Sequence, residues 1–207
     1  MDSEIMGDDR VTLTAVLLAG GESRRMGRDK AIIEFEGQPL WRRQIEILRA
    51  LEPDGIFVSS RTRPSWLPGD VELLLDDPPS RGPLGGLTNA LSAMRTTHLV
   101  ALAVDMPFMV GETLRALMAM TGIGLGVVPV IGDRAEPLAA IYPREALRYF
   151  SAALAGTNFS LQALVQALAT NQTVRLIPIP AEDGHLYRSV NEPGDIKEGR
   201  FSNRPLQ

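Results

Sequence analysis

The chain has 207 residues, of which 44% are hydrophobic and 22% are charged, and its formal net charge is −4. These values are typical of a single globular domain with one sizeable core, and the negative charge argues against a nucleic-acid partner. The absence of cysteine excludes disulfides and thiolate chemistry, and the sequence contains neither a run of 18 apolar residues nor a secretory signal, so we expect a cytoplasmic protein without a membrane partner.

Short apolar runs alternate with segments of helical periodicity along most of the chain. We predict seven strands, at residues 13–18, 55–59, 71–75, 99–104, 125–130, 137–142 and 174–178. We predict five helices, at residues 39–51, 84–95, 111–121, 144–155 and 160–169. Such alternation is typical of α/β proteins, and it predicts a Rossmann-like three-layer sandwich around a mostly parallel sheet of about seven strands.

One turn and the two chain ends complete the predicted organisation. The turn at Gly132-Asp133-Arg134 lies between two predicted strands and is typical of a β-hairpin, so the sheet should contain one antiparallel element. A single domain is predicted over residues 11–196. Residues 1–10 and 197–207 are polar or rich in proline and are predicted to be flexible tails.

The most informative segment follows the first predicted strand and reads L-A-G-G-E-S-R-R-M-G-R-D-K over residues 18–30. Glycine after a strand lets backbone N–H groups approach an anion, because no Cβ obstructs the approach. Arg24, Arg25 and Lys30 add the positive charge that a triphosphate requires. The spacing matches neither the P-loop nor the dinucleotide fingerprint.

Aspartates follow two other predicted strands. Asp105 directly follows the strand at 99–104, whereas Asp76 and Asp77 follow the strand at 71–75. The carboxyl ends of parallel strands meet at one edge of a sheet, so these carboxylates should lie near the glycine-rich segment. Because Mg²⁺ usually binds one or two carboxylates with phosphate oxygens and water, Asp105 is a candidate metal ligand. Without the metal we expect the Asp105 carboxylate to be unpaired.

These segments resemble the molybdenum cofactor guanylyltransferase family. Residues 18–30 agree at all ten specified positions of its motif L-A-G-G-x-S-x-R-M-G-x-D-K, and Gly82 and Asp105 begin its G-P-L-x-G and D-x-P motifs. The resemblance covers about residues 11–196. It implies a Mg²⁺-dependent nucleotidyltransferase that joins GMP from GTP to the terminal phosphate of molybdopterin or Mo-molybdopterin and releases pyrophosphate. Delivery proteins and acceptor molybdoenzymes are further partners that it implies.

The resemblance also implies roles for individual residues. Nucleotide binding is expected at Leu18, Ala19, Gly20, Gly21, Lys30, Asp76, Gly82 and Asp105. Backbone groups of the first three would face the guanine edge. Lys30 and Arg25 would stabilise the pyrophosphate leaving group, and Asp105 would hold the metal. Asp76 lies six residues before Gly82, as in the family, although the neighbouring Asp77 stays open as an alternative.

Some positions depart from the family or fall outside its motifs. Asn191 matches a family asparagine that faces the acceptor, whereas Ser189 replaces a second one and shortens its reach. Ser59 replaces an asparagine after the second strand, so we assign it no role. The isolated His98 is expected to be structural. Trp41 and Trp66 are predicted to be packing residues.

Three alternatives remain open. The nearest is a cytidylyltransferase acting on the same pterin, but its relatives usually read L-A-A-G where this chain has Ala19-Gly20-Gly21. The second is another small-molecule nucleotidyltransferase, although sugar-nucleotide pyrophosphorylases are usually longer. The third is a regulatory domain that binds a nucleotide without turnover. Lys30 and Asp105 together disfavour it, because binding alone would not need both.

Overall fold

A computed structural model describes residues 10–20, 29–76 and 80–190 of the chain. Within these ranges the strands are β1 (Leu13–Leu18), β2 (Glu34–Phe35), β3 (Gln38–Pro39), β4 (Gly55–Ser60), β5 (Glu72–Leu75), β6 (His98–Ala103), β7 (Gly126–Ile131), β8 (Arg134–Ala135), β9 (Ala139–Pro143) and β10 (Val174–Pro178). The α-helices are α1 (Leu40–Arg49), α2 (Pro83–Ala93), α3 (Gly111–Met118), α4 (Leu147–Ala155) and α5 (Leu161–Thr170). Every predicted strand and helix is present, with ends that differ by at most three residues.

The main sheet has the strand order β10-β7-β9-β6-β1-β4-β5, and β8 pairs with β7 beside this path. Strand β1 lies between β4 and β6, and both are parallel to it. Strand β5 is parallel to β4, and β10 is parallel to β7. Strand β9 is antiparallel to both of its neighbours. The predicted α/β fold with a mostly parallel sheet is therefore confirmed.

Strand β1 shows how the sheet separates two layers of helices. All six of its residues are buried. Ala15 and Leu17 pack with residues of α1 and α3, whereas Val16 and Leu18 pack with residues of α2, α4 and α5. Successive side chains of a strand point to opposite faces, so a strand covered on both faces reads as one continuous apolar run. This is why the sequence alone locates β1.

The predicted hairpin is present, but its second strand differs from the prediction. Gly132, with φ of 58°, and Asp133 form the turn, and Ile131 pairs with Arg134 of β8. The strand predicted at 137–142 begins only at Ala139, because Pro137 has no N–H to donate and the N–H of Ala139 turns back to the C=O of Glu136. Strand β9 is antiparallel to β7, as the predicted hairpin requires, whereas the short antiparallel strand β8 was not predicted.

Two further points concern the ends of the chain and the helices. Of the predicted tails 1–10 and 197–207, only Arg10 is described, and it is exposed; the other residues lie outside the described ranges. None of the helices in the described part of the chain has the length and hydrophobicity needed to cross a lipid bilayer.

Candidate active site

A pocket lies where β1, β4, β5 and β6 end. Its walls come from the carboxyl ends of these four strands, from the start of α2 and from the segment before β9. The residues that line it are Leu18, Ala19, Gly20, Lys30, Ser59, Asp76, Gly82, Pro83, Ala103, Val104, Asp105 and Leu138. This is the sheet edge at which parallel α/β proteins bind their ligands.

The pocket gathers seven of the eight residues predicted to bind a nucleotide. The eighth, Gly21, lies outside the described residues, as do Arg25 and Asn191. Asp76 lines the pocket, and the alternative Asp77 also lies outside the described residues. The roles of the individual residues stay predictions. The seven residues come from four separate parts of the chain, and all of them line this one pocket.

Strand pairing fixes the backbone at the end of β1. The N–H of Ala19 donates to the C=O of Ser59 at 2.9 Å, and the C=O of Leu18 accepts from the N–H of Val104 at 3.1 Å. The segment therefore sits between the ends of β4 and β6. Gly20 follows directly, and a Cβ there would lie 3.1 Å from Oδ2 of Asp76. The close approach of Asp76 to this backbone thus favours glycine.

Ser59 lines the pocket and holds Asp76, a role that the sequence did not suggest. Its hydroxyl donates to Oδ1 of Asp76 at 3.1 Å, while the N–H of Asp76 donates to the C=O of Ser60 at 3.0 Å. Gly86 of α2 lies so close that a Cβ would overlap Oγ of Ser59. The absence of a side chain at Gly86 therefore lets α2 approach β4 at Ser59.

Lys30 and Asp105 form an ion pair across the pocket, with Nζ and Oδ2 separated by 2.9 Å. Their side chains are 17% and 22% exposed, so both remain reachable from the pocket. The expectation that the Asp105 carboxylate is unpaired is wrong. The Lys30 ammonium, 75 residues away in sequence, contacts the Asp105 carboxylate at the end of β6. A contact between residues so far apart cannot be predicted from local sequence patterns.

The segment after β6 is held by backbone contacts on several sides. The fully buried Gln44 donates from Nε2 to the C=O of Met106 at 2.6 Å, and Arg43 donates from Nε to the C=O of Pro107 at 2.7 Å. The N–H of Val190 donates to the C=O of Asp105 at 2.7 Å. Helix α1 and the segment before residue 191 therefore fix the position of Asp105.

The donor set of the pocket suits a divalent cation that arrives with a phosphate ligand. Among the described residues, Asp105 and Asp76 line it with carboxylates, and Asp76 already accepts a hydrogen bond from Ser59. Across the described ranges, no three or more His, Asp or Glu side chains cluster in a way that could enclose a metal ion. Mg²⁺ is commonly held by one or two carboxylates while phosphate oxygens and water complete its shell, so this limited set fits Mg²⁺.

A second groove adjoins the pocket, and Leu138 lines both. The other residues that line this groove are Met106, Arg134, Ala135, Glu136, Pro137, Ser160, Leu161, Gln162 and Ser189. Burial raises the pKa of Glu136, and the nearby Arg134 acts in the opposite direction. The Gln162 side chain pairs with both the N–H and the C=O of Ala135, which caps the edge of β8. The groove thus combines polar side chains with an ordered strand edge.

Sequence comparison shows what the chain is similar to. Residues 15–173 match the family model of the MobA-like NTP transferase domain. A probable molybdenum cofactor guanylyltransferase of Opitutus terrae is 34% identical over 193 residues, which cover 92% of this chain and 96% of that protein. A molybdenum cofactor guanylyltransferase of Xanthomonas euvesicatoria is 38% identical over 107 residues, covering 51% of this chain and 53% of that protein.

Solved structures share the fold. The molybdopterin-guanine dinucleotide biosynthesis protein A of Archaeoglobus fulgidus superposes with a TM-score of 0.69 at 21% identity, covering 89% of this chain and 95% of that chain. A nucleotidyl transferase of Methanothermobacter reaches a TM-score of 0.73 at 15% identity, covering 91% of this chain and 96% of that chain.

Proposed function

The chain belongs to the MobA-like NTP transferase family, and from that premise we propose that it transfers GMP from GTP to the terminal phosphate of molybdopterin or Mo-molybdopterin. Pyrophosphate is the second product. The observation that carries the proposal is the Lys30–Asp105 pair, which presents an ammonium and a carboxylate 2.9 Å apart beside the strand ends of the pocket. The proposal implies a cytoplasmic location and contact with proteins that deliver the cofactor or accept it.

The nucleotide is proposed to enter along the end of β1. Because the N–H of Ala19 already donates to Ser59, the base would meet mainly Gly20 and the carboxylate of Asp76. Guanine presents two neighbouring N–H donors on one edge, and a carboxylate can accept both. A site built to hydrogen-bond one base rejects another by orders of magnitude, so this arrangement favours GTP.

Transfer would proceed by in-line attack of the acceptor phosphate on the α-phosphorus, without a protein nucleophile. Lys30 would stabilise the charge that develops on the pyrophosphate, together with Arg25, which lies outside the described residues. Asp105 would hold Mg²⁺, which neutralises phosphate charge when bound. The protein contributes mainly alignment and a preorganised field, as in other phosphoryl-type transfers.

The acceptor is proposed to occupy the second groove. Ser189 lines that groove, and its neighbour Val190 donates to the backbone of Asp105, so the groove opens next to the proposed metal ligand. Leu138 lines both the pocket and the groove. An acceptor bound there would bring its terminal phosphate towards the nucleotide. Asn191 would add a further contact, but it lies outside the described residues.

The test is pyrophosphate release by the purified protein supplied with Mg²⁺, molybdopterin and one nucleoside triphosphate at a time. We expect turnover with GTP to exceed turnover with CTP or ATP. Equal use of GTP and CTP would overturn the guanylyl assignment and would favour the cytidylyltransferase. A protein that binds GTP but releases no pyrophosphate would instead be a regulatory domain.

A variant pair tests the metal ligand in the same assay. Asp105→Asn keeps the shape but removes the charge, and we expect turnover to fall by at least about a hundredfold. Asp70→Asn is the matched control, since Asp70 is an exposed aspartate that also forms an ion pair, with Arg49 at 2.7 Å. Near-normal turnover of Asp105→Asn would show that another residue holds the metal.

A further inference from the structure

Both carboxylate oxygens of Asp29, the residue before Lys30, have defined partners. Oδ1 accepts from the N–H of Ala31 at 2.9 Å and so caps the 3-10 turn Lys30–Ile32. Oδ2 accepts from the indole N–H of Trp66 at 3.1 Å. The local conformation of Lys30 therefore depends on the Asp29 side chain, which both of these hydrogen bonds hold in place. One of the two donors, Trp66, lies in the connection between β4 and β5.

Trp66 is itself held by a second tryptophan. Its ring stacks on that of Trp41 in α1, with centroids 5.2 Å apart and planes inclined by 13°. Both rings are half-buried and pack against the core layer that α1 and α3 share. An indole offers a single donor on a rigid ring, so fixing the ring also fixes the direction of its N–H.

Helix α1 thereby supports both partners of the Lys30–Asp105 pair. Trp41 reaches Lys30 through Trp66 and Asp29, whereas Gln44 holds the C=O of Met106, the residue after Asp105. Lys30 and Asp105 come from distant parts of the chain. Because α1 supports both of them, it helps to fix the distance between the ammonium and the carboxylate. A packing role alone would not require the hydrogen bond between the Trp66 N–H and Asp29.

We propose that Trp66 is a positioning residue for Lys30. Its indole N–H, held in direction by the stack on Trp41, orients the Asp29 carboxylate. That carboxylate sets the turn from which the Lys30 ammonium enters the phosphate site. The inference rests on the proposed function, since it acts through the role assigned to Lys30.

The substitution Trp66→Phe tests this contact, because phenylalanine retains an aromatic ring for stacking but has no N–H. We expect kcat for pyrophosphate release to fall roughly ten- to hundredfold, the scale of a small misplacement of a reacting group. KM for GTP and the thermal midpoint should stay close to those of the wild type. Trp41→Phe is the matched control, since it preserves the Trp66 N–H and an aromatic partner, and its kcat should stay near normal.

Two further variants keep the test decisive if Trp66→Phe folds poorly. Asp29→Asn retains one carbonyl oxygen as the cap for Ala31 but offers only an N–H₂ group to Trp66, so it should reproduce the fall in kcat. In a Lys30→Ala background, Trp66→Phe should cause no additional loss, because residues that act through one contact are not additive. A further loss there would mark Trp66 as merely structural and would overturn the inference.

The same series separates this inference from the proposed function. Wild-type turnover of Lys30→Ala would remove the role of Lys30 and the function argued from it. An inactive Lys30→Ala enzyme combined with full kcat in both Trp66→Phe and Asp29→Asn would overturn only the positioning role of Trp66.

Discussion

Lys30 and Asp105 carry opposite charges at the wall of the pocket, and each is about one-fifth exposed. Partly exposed ion pairs contribute about 0–1 kcal/mol to the free energy of unfolding, because desolvation and lost side-chain freedom offset most of the attraction. The pair is therefore a weak source of stability. The role proposed for it is functional, since each charge would hold the other at the point where phosphate oxygens are proposed to bind.

The role proposed for Lys30 would depend on the shape of the charged group as well as on the sign of its charge. An ammonium is a compact donor that fits a phosphate oxygen, whereas a guanidinium is larger and planar. We therefore expect Lys30→Arg to lose nearly as much turnover as Lys30→Ala, with both at least about a hundredfold below the wild type. Steady-state pyrophosphate release measures the effect.

The exposed Arg42, paired with Glu46 on the surface of α1, is the control for Lys30, and Arg42→Ala should leave turnover unchanged. A fully active Lys30→Arg enzyme would mean that a diffuse positive field is sufficient.

At the residue level, the sequence motifs predicted residues that line one pocket, but they did not reveal the contacts between those residues. The glycine-rich segment, Asp76, Gly82 and Asp105 stand out because glycine, proline and acidic residues follow apolar runs. The contact between Trp66 and Asp29 spans 37 residues, and the roles of Ser59 and Trp66 appear only when β4 and α1 are in place. Such contacts depend on tertiary structure, and no local spacing encodes them.

At the level of elements, β7 and β9 approach each other closely at the start of β7. A Cβ on Gly126 would overlap the C=O of Ile141 and would lie 2.6 Å from Cδ of Pro143. Both obstacles belong to backbone or to a proline ring, so neither can rotate away. The antiparallel position of β9 therefore depends on the absence of a side chain at residue 126.

Gly126→Ala should accordingly destabilise the protein by about 1–3 kcal/mol, the usual cost of overpacking a well-packed region. Gly55→Ala is the matched control, because Gly55 also begins a strand but has no atom within 4 Å of the added Cβ. We expect the control to be neutral or slightly stabilising, since alanine restricts the unfolded chain. Urea denaturation measures both changes, and equal midpoints for the two variants would contradict this account.

The strands and helices that the sequence predicts are those long enough to show a periodic pattern of hydrophobic residues. All long strands and helices appear within three residues of their predicted ends. The two-residue strands β2, β3 and β8 do not, because two residues carry no alternation. The place of β9 between β6 and β7 was also not predicted, since it depends on pairing between segments far apart in the chain.

For the whole molecule, the sheet order explains why the proposed site lies where it does. Strand β1 is central, and its neighbours β4 and β6 run parallel to it, so the segments after these strands leave the sheet at the same edge. Because parallel sheets bind ligands at this edge, the sequence alone predicts that Gly20, Asp76 and Asp105 lie close together. The second groove adjoins this edge, since Leu138 lines both the pocket and the groove.

The stability of the whole fold should respond to pH through His98, at the start of β6. Its ring is fully buried, with Nδ1 2.9 Å from Oγ1 of Thr97 and Nε2 3.3 Å from the C=O of Leu125. Burial lowers the pKa of His98, while the carbonyls and Glu145 act in the opposite direction more weakly. These contacts agree with the structural role that was expected for this residue.

The direction of the effect follows from this lowered pKa. The unfolded chain takes up a proton on His98 near pH 6.5, whereas the folded protein takes it up only at lower pH. His98 therefore contributes its full stability above about pH 6.5, and that contribution is lost as the pH falls towards the folded-state pKa, by at most about 1.4 kcal/mol per pH unit.

We expect the His98→Gln variant to be less stable than the wild type at neutral pH, but its free energy of unfolding should depend less steeply on pH between about pH 7 and pH 5. His185→Gln, at an exposed histidine, is the control and should keep the wild-type slope. Urea unfolding across this range decides the matter, because parallel slopes for His98→Gln and the wild type would show that the buried ring does not titrate differently on folding.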